Sequence, residues 1–194
     1  MATVTISRQL GSLGNQVARA AAELLGYRLV WRELINQAAQ RAGAPEMALA
    51  AMDELGLLNI RASSQSIQNY RKCLEQVVLE EAEQGDVIIV GRAAQAILGR
   101  RPGVLNVRII APLVVRIERR AIQTDISRES ALAQIEASDR NRNRFLRRLF
   151  QVKLDDPLLY HLIINTENLS IGQAARLIAE AAHLTDRTME SQSE

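Results

Sequence analysis

The sequence predicts an α/β domain: a doubly wound parallel sheet of about five strands, flanked by helices. Short apolar runs rich in β-branched residues alternate with longer segments whose apolar positions recur every three to four residues. The first of these runs passes through a glycine-bearing turn straight into an Ala/Leu-rich helical pattern. Apolar residues fill 47% of the 194 positions, enough to cover both faces of such a sheet and too many for a disordered chain.

Val4-Thr5-Ile6-Ser7 is the first strand, and Val17 to Leu25 is the helix after it, closed by Gly26 as a C-cap. Tyr27 to Val30 is a weaker strand. Leu34-Ile35 with Ala38-Ala39, then Met47 to Leu55, form short helices around the Gly43-Ala44-Pro45 break. Ser64 to Glu83 is one long amphipathic helix with Ile67, Tyr70, Leu74, Val77 and Val78 on its apolar stripe. Val87-Ile88-Ile89-Val90 is a continuous strand ending at Gly91. Val104 to Ile110 is another, set between a Pro102-Gly103 turn and Pro112.

Pro112 opens a helix through Val114, Val115 and Ile117. Ser127 is the N-cap of a helix running past Leu132, Ile135 and Arg140 toward Phe150. Leu162-Ile163-Ile164 is the last strand and leads into Asn165-Thr166. Ser170 caps the final helix, which extends to about His183. The chain therefore reads as one domain over 1–185 with helical segments at 31–84 and 127–150, followed by a flexible polar tail at 186–194. There is no internal repeat.

No apolar run approaches the roughly 18 residues of a membrane-spanning helix. The strand-like start has no charged region ahead of an apolar stretch, so the expected location is cytoplasmic. A single cysteine, Cys73, suits a reducing compartment and a place in the core. Of 24 basic residues only Lys72 and Lys153 are lysines. Between Arg92 and Arg148 stand thirteen arginines against five acids. Arginine forks match phosphate oxygens bidentately, so this distribution favours phosphate-rich ligands. An aromatic content of 3% leaves few platforms for stacking bases and argues against nucleic acid as a partner.

In a doubly wound sheet, ligands bind beyond the carboxyl ends of the strands. The sequence puts Ser7 to Gly14, Gly91-Arg92, Ala111-Pro112 and Asn165-Thr166 at those ends. The Gly11-Ser12-Leu13-Gly14-Asn15-Gln16 turn then aims backbone N–H groups and a helix N-terminus at one point, the layout of a phosphate cradle. Aligned on Gly14, the pattern GxxxxGK(S/T) finds Gln9 in place of the first glycine, Asn15 in place of lysine and Gln16 in place of Ser/Thr. An ordinary strand–turn–helix uses glycine in the same way, and on the residues alone both readings stand.

Five arginines crowd into the nine residues from Arg140 to Arg148, with Asp139 beside them. Helical spacing puts Arg140, Arg144, Arg147 and Arg148 on neighbouring positions of one face, and such mutual repulsion calls for an anionic partner. Arg92, directly after a buried strand and Gly91, faces the crevice. Arg116 is the best placed of Arg116, Arg119 and Arg120 to meet a ligand. His161 and His183 have no second ligand at metal spacing, so no metal site is expected from protein side chains.

The order of these motifs resembles that of the cytidylate kinase-like family, within the nucleoside monophosphate kinases of the P-loop NTPase group. The likeness runs from Val4 to about Ala182. It rests on Ile6-Ser7-Arg8-Gln9-x-Gly11-Ser12-x-Gly14, Arg32-Glu33-Leu34-Ile35, Val90-Gly91-Arg92 and Arg116-Ile117-x-Arg119-Arg120. Asp139-Arg140-Asn141-Arg142-Asn143-Arg144 and Leu162 to Thr166 complete it. The family's loop commonly has glycine at Leu13 and a basic residue at Asn15, true cytidylate kinases carry an aspartate at Ala93, and relatives usually have one at Trp31.

The resemblance implies transfer of the ATP γ-phosphate, with Mg²⁺, to a nucleoside monophosphate such as CMP or dCMP. Gly11, Ser12, Gly14, Asn15 and Gln16 would hold the donor phosphates. Arg140, Arg142 and Arg144 would be the lid arginines that stabilise charge in transit. Arg92, Arg116 and Arg32 would hold the acceptor. The alternative is a nucleotide or phosphometabolite sensor that keeps the fold without turnover.

Overall fold

The computed structural model describes residues 2–45 and 63–190, in which five parallel strands form one sheet in the order β2-β3-β1-β4-β5. The strands are β1 (Thr3–Arg8), β2 (Arg28–Val30), β3 (Val87–Val90), β4 (Val104–Ile110) and β5 (Leu162–Asn165). β1 is central, pairing with β3 from Thr3↔Val87 to Ile6↔Val90 and with β4 from Thr3↔Val104 to Arg8↔Ile109. Its six residues are all buried, as the middle strand of a two-sided sheet must be. The expected helix over Met47–Leu55 lies outside the described residues.

Helices cover both faces. On one, α1 (Gly14–Leu25) and α7 (Ile171–Glu190) close over Val4, Ile6, Ile88, Val90, Val107 and Ile109. On the other, α2 (Glu33–Arg41), α3 (Ser64–Glu83) and the short α4 (Ala94–Leu98) pack over Val87, Ile89 and Val104. α3 buries the expected stripe, with Tyr70 and Leu74 at its centre. α5 (Leu113–Thr124) and α6 (Arg128–Phe150) lie against each other beyond the sheet's carboxyl end. The long helices start where side-chain caps are available: the hydroxyls of Ser63 and Ser127 accept the Ser66 and Ser130 N–H groups at 3.0 and 3.1 Å. Ser170 and Gln173 cap each other's N–H groups at 3.2 and 2.9 Å, a capping box that begins α7.

Three features depart from the sequence expectation. α4 follows Gly91-Arg92-Ala93, three successive left-handed residues at φ 73°, 57° and 57° that reverse the chain after β3. α7 continues to Glu190, past the end expected near His183, because helical hydrogen bonding outruns the apolar periodicity. The sheet is also not apolar on both faces. Thr5, Ser7, Asn106 and Arg108 are all at or below 5% exposure and stand in register on one side of β1 and β4.

That buried polar column is satisfied internally, as it must be. Thr5 donates to Asn106 Oδ1 at 2.7 Å. Arg108 reaches the Ser7 and Tyr160 hydroxyls, both at 3.3 Å, and Asp155 at 2.7 Å. The Asn106 N–H donates to His161 Nδ1 at 3.0 Å.

Candidate active site

β1 ends at the cleft with Arg8, a charged residue that the parallel register leaves 7% exposed. The turn that follows is fixed from below. Gln9 donates its N–H to the Ile109 carbonyl at 3.1 Å, and its side-chain oxygen accepts the Ala111 N–H at 3.1 Å. The fully buried Ser12 hydroxyl lies 2.9 Å from the Gln9 carbonyl and 3.2 Å from that of Ile109. Thr166, at the end of β5, donates to the Ser12 carbonyl at 2.9 Å. The turn is thus pinned to both β4 and the loop after β5 before any ligand arrives.

Gly11 takes φ 81°, and a Cβ there would sit 2.7 Å from the Arg116 carbonyl oxygen. Leu13, the residue before α1, is left-handed at φ 61° with no glycine to ease it. The first intrahelical bond of α1 runs from the Val17 N–H to the Leu13 carbonyl at 2.9 Å. The N–H groups of Gly14, Asn15 and Gln16 precede that bond and by helix geometry have no intrahelical acceptor. They open on a cleft of about 360 Å³. A second cavity of about 430 Å³ adjoins it, bounded by Asn15, Gln16, Arg19, Trp31 and Gln123.

Four arginines from three elements border the cleft: Arg8, Arg119, Arg120 and Arg142. Arg142 donates to the Arg8 carbonyl at 3.0 Å, which brings α6 over the turn. Arg119 holds the Thr166 hydroxyl and carbonyl at 3.0 and 2.7 Å, and Arg120 holds Gln134 of α6 at 2.9 Å. Arg8 donates through Nε to Asn15 Oδ1 at 3.0 Å and lies 5.4 Å from the centre of the Trp31 ring.

The residues singled out in the sequence fall into two groups. Gly11, Gly14, Asn15, Gln16 and Arg142 come together around the cleft, with Ser12 buried beneath it. Arg140 and Arg144 are exposed and do not border it; Arg140 pairs with Glu136 at 3.3 Å. The face that the spacing grouped is the solvated one. Arg142, about 200° around the helix from Arg140, is the arginine that reaches inward.

Arg116 lies under the turn rather than at a ligand surface, paired at 2.8 Å with Asp139 of α6. Arg32 is exposed and stacks on Trp31 at 5.3 Å. Arg92 lies beside Tyr70 of α3. Burial pushes the Tyr70 phenol up to about 12, and the nearby Arg92 charge opposes that shift. Arg8, Arg119 and Arg120 received no site role from the sequence. The signal for Arg8 was an arginine closing an otherwise buried strand directly ahead of a glycine turn.

Among the described residues no three His, Cys, Asp or Glu side chains group as metal ligands. No helix among them is long and apolar enough to cross a membrane.

Comparison with known proteins agrees with this geometry. The chain is 28% identical to a cytidylate kinase of Pyrobaculum calidifontis over 178 residues, 91% of this chain and 90% of that one. It is 30% identical to one of Pyrococcus horikoshii over 168 residues, 86% and 81% of the two chains. Among solved structures, an uncharacterized protein from Eubacterium ventriosum superposes with TM-score 0.74 at 19% identity, covering 94% of this chain and 99% of that one. A gluconokinase from Sinorhizobium meliloti gives 0.58 at 16% identity, with 100% and 98% covered, so the fold is that of the P-loop kinases. The family model that matches spans residues 3–168, from the start of β1 to just past β5. The chain therefore belongs to the cytidylate kinase-like family.

Proposed function

We propose that this protein is a nucleotide-binding phosphotransferase of the cytoplasm, moving the γ-phosphate of ATP to a nucleoside monophosphate such as CMP or dCMP. The observation that carries this reading is the cleft beyond β1, where first-turn N–H groups of α1 and four arginines converge. Amides at a helix N-terminus favour phosphate oxygens, and guanidinium forks add charge and direction. Gly11, Gly14, Asn15 and Gln16 bound the donor-phosphate position. Arg142, carried on α6, is the lid arginine best placed to meet charge on the transferring group. Arg92, across Gly91 and beside α3, is the acceptor contact. Arg116 acts beneath the turn as a positioning residue, and Arg32 shapes the Trp31 side.

Ser12, Asn15 and Asp139 do not fit a protein-held Mg²⁺, which leaves Gln16, at the Ser/Thr position of the pattern, as the side-chain oxygen bordering the cleft. The Ser12 hydroxyl faces two backbone carbonyls, Asn15 Oδ1 accepts from Arg8, and Asp139 pairs with Arg116. A divalent ion would enter mainly on the nucleotide's own phosphates.

The same consumption of Ser12 and Asn15 favours a second reading, a nucleotide sensor without turnover. One assay separates them. Coupled ADP release is measured with ATP, Mg²⁺ and a panel of nucleoside monophosphates, alongside thermal shift with ATP. Turnover with CMP or dCMP supports the kinase. Stabilisation by ATP with no release of ADP supports the sensor, and neither response defeats both.

A further inference from the structure

The two cavities beyond the sheet meet at Asn15, Gln16 and Gln123, which border both. They differ in charge. Four arginines border the cleft and, among the described residues, no acid does. The second cavity, of about 430 Å³, has one arginine and one acid of its own, Arg19 and Glu23, a turn apart on α1. A polyanion is favoured in the first and gains no net charge attraction from the second.

The second cavity offers different chemistry. Asn15, Arg19 and Glu23 recur every four residues along one face of α1, which therefore runs about 12 Å away from the phosphate turn. Ala20 adds only a methyl group to that face. The indole of Trp31 forms a further wall, with the Arg8 and Arg32 guanidiniums at 5.4 and 5.3 Å from its ring. Methyl and indole give apolar surface, Glu23 accepts from hydroxyl and amino hydrogens, and the Gln123 amide both donates and accepts. Phosphate has no use for such an acid, whereas a nucleoside brings hydroxyls, a polar base edge and a flat ring.

We propose that this cavity takes the nucleoside part of the triphosphate whose phosphate tail occupies the cleft, with sugar and base lying along α1 beside Trp31. The assignment rests on the phosphate-binding reading above and says where the rest of the ligand goes. Glu23 accepts from the nucleoside's hydroxyl or amino groups, and Ala20 leaves room for its rings.

Trp31 is the single tryptophan of the chain, so its emission reports on this cavity. Titration with ATP and with inorganic tripolyphosphate, followed by that emission and by calorimetry at fixed salt, tests the proposal on the wild type, Ala20→Leu and Glu23→Ala. Both substitutions put good helix formers on α1. In the wild type, ATP changes the emission and tripolyphosphate, which has no nucleoside, changes it much less. Ala20→Leu fills the cavity and weakens ATP about tenfold, while tripolyphosphate binds as before. Glu23→Ala separates the two ligands. Removing an acid near a polyanion strengthens tripolyphosphate or leaves it unchanged, yet ATP weakens. A residue that only supports the helix would shift both ligands alike.

Equal emission changes for the two ligands, or none with ATP, overturn the proposal, as do variants that weaken both ligands alike or neither. If Ala20→Leu fails to fold, Glu23→Ala decides: ATP affinity equal to or above that of the wild type overturns it. These results leave the phosphate-binding reading standing, because the wild type still binds tripolyphosphate. A wild type that binds neither ligand overturns both.

Discussion

At the scale of single residues, backbone geometry and neutral contacts decide more than charge does. Gly11 and Gly14 are usually read as giving room to a ligand. Here each makes room for protein: Gly11 for the backbone of Arg116, and Gly14 for the stem of Arg8. Glycine in such a turn is therefore compatible with phosphate binding without being evidence for it.

His161 makes a residue-scale prediction about pH. Burial, and then the charge of Arg100, hold its pKa below the ordinary 6.5. Its neutral Nδ1 accepts the Asn106 N–H, a bond that the protonated ring does not accept. The unfolded chain therefore binds the proton more readily than the native one, and stability rises with pH across this window. The contribution is whole above pH 6.5 and is lost as pH falls through the depressed native value. His161→Phe should flatten the slope of unfolding free energy against pH between about 5 and 7. Equal slopes for the two proteins would show that His161 does not contribute.

At the scale of elements, α5 and α6 are joined by a charged pair. Arg116 is the buried residue of α5, while Leu113, Val114 and Ile122 of the same helix are 43%, 58% and 83% exposed. The Arg116–Asp139 pair is half sheltered, with the arginine side chain 7% and the aspartate 34% exposed. Removing the acid strands a buried guanidinium, which costs more than an exposed pair and less than a fully buried one. Asp139→Ala should lower unfolding free energy by about 1–3 kcal/mol. It should also weaken phosphate binding, because α6 carries Arg142 over the turn. Unchanged denaturant midpoints would rule out this role for the pair.

At the scale of the molecule, thirteen arginines and five acids between residues 92 and 148 give that stretch a net charge of +8, against +2 for the whole chain. The structure sorts them. Arg108 and Arg116 are buried with acid partners, Arg119, Arg120 and Arg142 border the cleft, and Arg140, Arg144, Arg147 and Arg148 meet solvent. The arginines that border the cleft strengthen anion binding there and make it sensitive to salt. ATP at 100 times its dissociation constant should add about 2.7 kcal/mol to stability, a rise in melting temperature of several degrees. That rise should shrink as salt increases. A thermal shift indifferent to salt would point to a ligand held by something other than these arginines.

The sequence by itself determined the strands, most helix boundaries, the parallel doubly wound architecture and the family. These follow from local causes: β-branched runs, three-to-four periodicity, and Gly, Pro and Ser at the ends of elements. The same local signals placed the turn after β1 and the crowding of arginine in α6. Only the tertiary structure decided which arginines serve the cleft. Periodicity reports which residues share a helix face, and it does not report which face turns inward. So the spacing grouped Arg140 with Arg144, and packing against β1 selected Arg142. Arg8 was hidden for a related reason. An arginine ending a buried strand borders the cleft only once the turn at Gly14 and Asn15 and the distant Trp31 and Gly91 are folded around it.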